Sequence, residues 1–175
     1  MKLLIQTVLI FLLAACSLEI DLKVLSMDKC YGNEKYLVIK KCEILDDNLF
    51  EVKAYLVSHV DSIIFKPRIS KLDKNKKFRE IFKNAPAIDW CKIADKNSRL
   101  PSNPLTAIAV MLVKSKFPEL QKPCPWDPFP IEHGNLTIGY RVLAIIPNGI
   151  YKAVLIAENK EGENYADVAF TFEIY

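Results

Sequence analysis

An antiparallel, mainly β domain carrying one short α-helix is the fold class that this sequence predicts. Three observations predict it. Apolar residues recur mostly at every second position from Leu18 to Leu72, and Pro147-Asn148-Gly149 places turn chemistry between two strand-like runs near the C-terminus. One segment alone, from Asn103 to Pro118, carries helical spacing instead.

The alternation opens at Leu18, Ile20, Leu22 and Val24 and breaks at Tyr31-Gly32-Asn33, which marks the turn of a first hairpin. Leu37, Val38 and Ile39 begin a β-branched strand that carries Cys42 and Ile44, and Asp46-Asp47-Asn48 ends it. Phe50, Val52, Ala54 and Leu56 then share one face of a third strand. Ile63-Ile64-Phe65 continues through Pro67 to Ile69, and because proline donates no ladder hydrogen bond, the strand belongs at an edge or a bulge. A charged turn from Asp73 to Lys77 closes this meander.

Asn103 can cap a helix whose first residue is Pro104, with Leu105, Ile108 and Leu112 on one stripe and Ala109 and Met111 beside it. Pro118 ends it. The stretch from Pro118 to Pro130 holds five of the ten prolines and reads as a stiff, extended crossing segment. Ile138, Tyr140 and Val142 form a strand expected to pair through Pro147-Asn148-Gly149 with Tyr151 to Ile156. After a polar turn at Asn159 to Asn164, Val168, Phe170, Phe172 and Ile174 face one way, and Asp167, Thr171 and Glu173 the other.

The N-terminus reads as a targeting segment. Lys2 precedes an apolar run from Leu3 to Ala15, too short to span a bilayer as a helix but suited to the core of a secretory signal, with small residues Ala14 and Cys16 permitting a cut before Ser17. Leu13-Ala14-Ala15-Cys16 also reads as a lipobox, in which Cys16 would carry a lipid anchor. Strand-like alternation starts at once at Leu18 with no polar tether, which favours an ordinary leader over residues 1–16 and a single domain over 17–175. The expected address is secreted and extracellular, with no stable membrane insertion once the leader is gone.

Lys2 is the leader's one charged side chain, so its removal lowers the formal charge from +3 to about +2. That balance supplies no electrostatic reason for nucleic-acid binding, and Lys71, Lys74, Lys76 and Lys77 read as a solvated basic turn. Hydrophobic residues make up 51% of the chain, leader included, which is enough to fill a sizeable core.

Cys30, Cys42, Cys91 and Cys124 are an even set in an oxidising compartment and read as disulfides. Three pairings are open. Joining neighbours, Cys30 with Cys42 and Cys91 with Cys124, ties adjacent segments across modest loops, each worth roughly 3 kcal/mol in the chain-entropy picture. Metal binding is disfavoured because no C-x-x-C occurs and His59 and His133 lie far from the cysteines in sequence. No G-x-S-x-G elbow, H-E-x-x-H helix or phosphate-cradling glycine loop is present, His133 reads as a loop residue, and Asp89 and Glu132 could meet only through folding. Neither a catalytic residue nor a cofactor is expected. Asn135-Leu136-Thr137 is the sole glycosylation sequon, so Asn135 is a candidate glycan carrier.

The ordered set Cys30, Cys42, Asp89-Trp90-Cys91-Lys92-Ile93, the helix, Cys124-Pro125 and Pro147-Asn148-Gly149-Ile150-Tyr151 resembles a group of secreted insect proteins of unknown function that includes the class B chemosensory proteins. That group is distantly similar to the ML lipid-recognition domains and the ganglioside activator protein. The resemblance spans Val24 to Tyr175 and rests on order and spacing. It implies an immunoglobulin-like, ML-like β-sandwich or cup whose apolar interior admits a lipid or another small hydrophobic molecule, in chemosensation or lipid handling.

By alternation and helix spacing, the positions expected to line that space are Leu56, Phe65, Ile108, Met111 and Leu112. Trp126, Tyr140, Val142, Phe170 and Phe172 complete the set. Four mature cysteines are fewer than the ML relatives carry, which leaves the width of the cup open. The alternative is a protein-interaction module with a filled core, whose outer face around Asp167 and Glu173 meets an extracellular protein receptor.

Overall fold

The computed structural model describes residues 22–46, 49–81, 85–94, 98–99, 101–137 and 147–175. Within them the chain forms two antiparallel sheets. Strands β1 (Leu22–Gly32), β9 (Asn164–Ile174), β8 (Gly149–Glu158), β4 (Ile64–Leu72) and β5 (Phe78–Glu80) lie side by side in that order, and β6 (Ile88–Asp89) adds to β4. The second sheet runs β2 (Leu37–Asp46), β3 (Leu49–Leu56), β7 (Phe129–Thr137). This is the mainly β, antiparallel fold that alternation predicted, in the two-sheet form that the resemblance implied, with helix α1 (Trp90–Ile93), helix α2 (Pro104–Lys116) and a 3-10 turn at Pro118–Leu120 beside it.

Tyr31-Gly32-Asn33 is a crossing and not a hairpin turn. β1 pairs with the C-terminal β9 from Leu22 opposite Ile174 to Gly32 opposite Ala166, while β2 pairs with β3 in the other sheet. A period of two says which face a side chain takes and nothing about which strand lies alongside, so sequence order suggested the wrong neighbour. Gly32 is needed at the crossing because a Cβ there would strike the Leu37 carbonyl. The Cys30–Cys42 disulfide joins β1 to β2 and so clamps one sheet to the other.

Pro67 stands opposite Leu155 of β8 in unbroken register, so it makes no bulge. On the other side of β4, β6 pairs only with Ile64 and Phe65 and β5 only with Ser70 to Leu72. The proline therefore sits where β4 has no strand on that flank among the described residues, a local edge inside the sheet.

Both sides of β8 are occupied, by β4 and by β9, so Tyr151 to Ile156 does not return onto Ile138, Tyr140 and Val142 as expected. Those three residues lie outside the described residues. Gly149 lies at φ +147°, a conformation that favours glycine, and the Tyr151 hydroxyl donates to the Pro147 carbonyl. β8 and β9 instead form the hairpin, through the turn in which Asn159 Oδ1 accepts the Glu163 N–H at 2.7 Å.

Helix α2 starts as its sequence dictates. Asn103 Oδ1 accepts the Thr106 N–H at 3.1 Å, Pro104 follows the cap, and Lys114 and Lys116 sit in the last turn near the carbonyl end. Among the described residues its buried edge runs through Thr106, Val110, Val113 and Phe117, and the side chains of Leu105, Ile108 and Leu112 lie outside the described residues. Apolar residues surround this helix nearly all the way round, so spacing did not single out one face.

Two clusters form the core. The larger gathers Leu56, Val60, Ile63, Phe65, Ile88, Trp90, Val110, Leu120, Trp126 and Tyr165 at the helical end, where the two sheets, α1 and α2 meet. Trp90 Nε1 donates to the Leu120 carbonyl at 2.9 Å and Trp126 Nε1 to the Lys122 carbonyl at 2.9 Å, so both indoles are buried with their one polar atom satisfied. The Cys91–Cys124 disulfide ties α1 to the proline-rich segment. Val24, Tyr151, Phe172 and Ile174 make the smaller cluster, with Ile44 packed against it from the opposite sheet.

Candidate functional site

Residues paired across antiparallel strands share a face, so the registers define the inner wall of each sheet. In the larger sheet that wall continues from Val24, Tyr151 and Phe172 through Ile69, Ala153 and Phe170 to Leu155 and Val168, then to Phe65 and Ala157. In the smaller sheet it comprises Leu37, Ile39, Ile44, Phe50, Val52, Ala54, Leu56, Phe129 and Ile131.

Burial along these walls is uneven. At the ends, Tyr151 and Ile174 are 0% and 1% exposed and Val60 and Trp126 are 1% and 3% exposed. Between them Ile69, Ala153, Leu155, Val168 and Phe170 on one sheet, and Ile39, Phe50, Val52 and Ile131 on the other, are only half-buried. A filled sandwich would exclude water from such inward positions. Among the described residues the middle of the two walls is apolar and only half-buried, with Ile69, Ala153 and Phe170 packed against the smaller cluster and Leu155 and Ile131 against the larger, while both ends are sealed.

The ten positions expected to line an interior are thereby sorted. Phe170 is half-buried and packs against the smaller cluster, and Phe172 adjoins it at a ring separation of 5.6 Å and is sealed within that cluster. Leu56, Phe65 and Trp126 belong to the larger cluster and form its closed wall. Met111 is 41% exposed and lies off the buried edge of α2, contrary to expectation, because that edge passes through Val110 instead. The side chains of Ile108 and Leu112 lie outside the described residues, as do Tyr140 and Val142. The side chains of His133 and Asn135 lie outside them too, although the backbone of both belongs to β7. Ala153, Leu155 and Ile39 were missed, and strand pairing finds them, whereas Val52 and Val168 were left out of the ten although alternation had put them on the faces of Leu56 and Phe170.

A second feature carries polar chemistry. A cleft of about 360 Å³ opens between the β3–β4 and β8–β9 connections, lined by Tyr36, His59, Asp61, Ser62, Asn159, Lys160, Glu161 and Tyr165. His59 Nδ1 faces Asp127 at 2.9 Å and its Nε2 faces Asp61 at 3.0 Å. Hydrogen bonds to these carboxylates, Asp127 foremost, hold its pKa above the ordinary value. Burial pushes the Tyr165 hydroxyl up to about 12.

The Tyr36 hydroxyl donates to Glu163 at 2.6 Å, and Ser62 Oγ accepts the Lys160 N–H at 3.3 Å. With both ring nitrogens turned to carboxylates, His59 bridges two loops and is not aimed as a base at Ser62. Among the described residues no group of three or more His, Cys, Asp or Glu is placed to hold a metal ion, and no helix is long and apolar enough to cross a membrane.

No protein-family model matches the sequence, and no curated protein does. Among solved structures the chain is similar to chicken MD-1 complexed with lipid IVa, at 14% identity over 90% of this chain and 91% of that one, with a TM-score of 0.35. It is also similar to a Niemann-Pick type C2 protein from Japanese carpenter ant, at 9% identity over 86% of this chain and 96% of that one, again at 0.35. At that TM-score neither likeness bears on what this chain does.

Proposed function

We propose that the protein is a secreted, non-catalytic binder that shelters a lipid or another small apolar molecule between its two sheets. The observation that carries this reading is the set of apolar, inward-facing residues around Phe170, Leu155 and Val52 that remain half-buried between two sealed clusters. Leaving them wet costs free energy, and an acyl chain laid across them would recover roughly 25 cal/mol for each Å² removed from water, before association costs. Two inter-segment disulfides suit an oxidising compartment, in line with the leader expected over residues 1–16 and a glycan at Asn135. Within that reading, chemosensation and lipid handling are the settings that a small secreted carrier of this kind serves.

Protein purified from a eukaryotic secretory host should carry a lipid in native mass spectra and should release a bound fluorescent fatty acid when unlabelled fatty acid is added. Ala153→Phe is the informative variant, because Ala153 stands directly opposite Phe170 on the half-buried wall. Its ring should occupy the vacant middle, abolishing probe uptake while changing stability by less than about 1 kcal/mol. In a filled core the same substitution would overpack and cost roughly 1–3 kcal/mol. An Ala153→Phe protein that is destabilised to that extent, together with a wild-type protein that takes up no probe, would sink the proposal.

A further inference from the structure

The β4–β5 hairpin, from Lys71 to Ile81, carries five basic side chains against two acidic ones, a surplus equal to the whole chain's formal charge of +3. Part of that charge is consumed locally. Asp73 accepts the N–H groups of Asn75 at 2.8 Å and Lys77 at 3.0 Å and binds Arg79 Nε at 2.6 Å, which closes the turn around its carboxylate. Lys71 Nζ donates to the Asn148 carbonyl at 3.0 Å and lies over the Tyr151 ring.

Lys74, Lys76 and Lys77 are left. All three are exposed, and their ammonium groups make no hydrogen bond or ion pair among the described residues. Beside them, on and just after the outermost strand of the larger sheet, Phe78 is 42% and Ile81 37% exposed. An aromatic side chain left in water next to three uncommitted cations forms an amphipathic tip.

We propose that this hairpin docks the protein onto a bilayer surface that carries anionic lipid. Such a surface takes both chemistries at once: Lys74, Lys76 and Lys77 meet the headgroup phosphates and carboxylates, and Phe78, next in the chain, enters the boundary with the acyl chains, whereas Ile81 lies on the opposite face of the sheet. The assignment stands on the hairpin and holds whether or not the interior carries a ligand.

Vesicle flotation of the full chain tests it, using phosphatidylcholine alone and phosphatidylcholine mixed with phosphatidylserine. Binding should require phosphatidylserine and fall steeply with added salt. Neutralising each lysine should weaken it about fivefold, hence about a hundredfold for Lys74→Gln, Lys76→Asn and Lys77→Gln together. Asparagine is chosen at Lys76 because that residue sits at φ +58°, which asparagine tolerates. Phe78→Ser should weaken binding about tenfold.

Three results would overturn the assignment. These are equal flotation on both vesicle types, undiminished binding by the folded triple variant, and salt-sensitive capture on an acidic polypeptide without vesicle binding, which would make the hairpin a protein contact. Because the salt titration uses wild-type protein, it decides the question even if a variant folds poorly.

Discussion

Phe170 and Phe172 lie two residues apart on one face of β9, with ring centroids 5.6 Å apart, yet their surroundings differ. Phe172 is 5% exposed and stacks on Tyr151 inside the smaller cluster, whereas Phe170 is half-buried and packs against that cluster from outside it. Truncating each to alanine separates a sealed site from a half-buried one. Phe172→Ala removes a fully packed ring and leaves a cavity, which costs roughly 3–5 kcal/mol. Phe170→Ala removes a ring that water already reaches on one side, so about half the transfer free energy and little cavity cost apply, roughly 1–2 kcal/mol. With a urea slope of about 2 kcal/mol per molar, the midpoints should drop by about 2 M and about 0.7 M, at unchanged slope. Equal losses for the two variants would mean that Phe170 is as tightly enclosed as Phe172, and the open interior would not exist.

Two further outcomes are expected. Removing the sheet-to-sheet clamp with Cys30→Ser and Cys42→Ser, which closes a 12-residue separation, should cost about 3 kcal/mol, and removing Cys91–Cys124, which spans 33 residues, about 4 kcal/mol; urea midpoints of the two double variants check this, and losses under about 1 kcal/mol would contradict it. His59 is held above its ordinary 6.5 by Asp127 and Asp61, so its contribution to stability is complete below pH 6.5 and fades as pH rises through the folded-state value. An NMR titration of His59 should show that raised midpoint, and His59→Gln should flatten the fall in stability above pH 6.5. A midpoint at or below 6.5 would exclude the two-carboxylate bridge.

Local rules made much of the fold legible. Asn103-Pro104 opens α2, and Pro118 follows its end at Lys116, because a cap and a missing N–H act within one helical turn. β9 is not wet on one side and dry on the other, since Thr171 and Ala169 are buried while Val168 and Phe170 are half-buried, but the turn at Asp73 to Lys77 was equally readable. Partners were not: β1 joins β9 across almost the whole chain, and β8 lies between β4 and β9, pairings that depend on how two faces bury and not on nearby residues. Met111 illustrates the same limit at the site, since a helix apolar on most sides offers several equivalent stripes and only docking against Trp90 and Leu120 selects one. The His59 cleft was invisible because Tyr36, Asp61, Asp127 and Glu161 come from four separate segments.

Composition and periodicity alone determined the class of this protein, β-strands with one principal helix, each a matter of neighbours along the chain. Tertiary structure decided which strands lie side by side, that Cys30–Cys42 bridges the two sheets, and that the apolar walls are sealed at their ends and half-buried between. The reason is physical. A side chain's phase is set by its own backbone, whereas the gap between two sheets is set by every residue that packs across it.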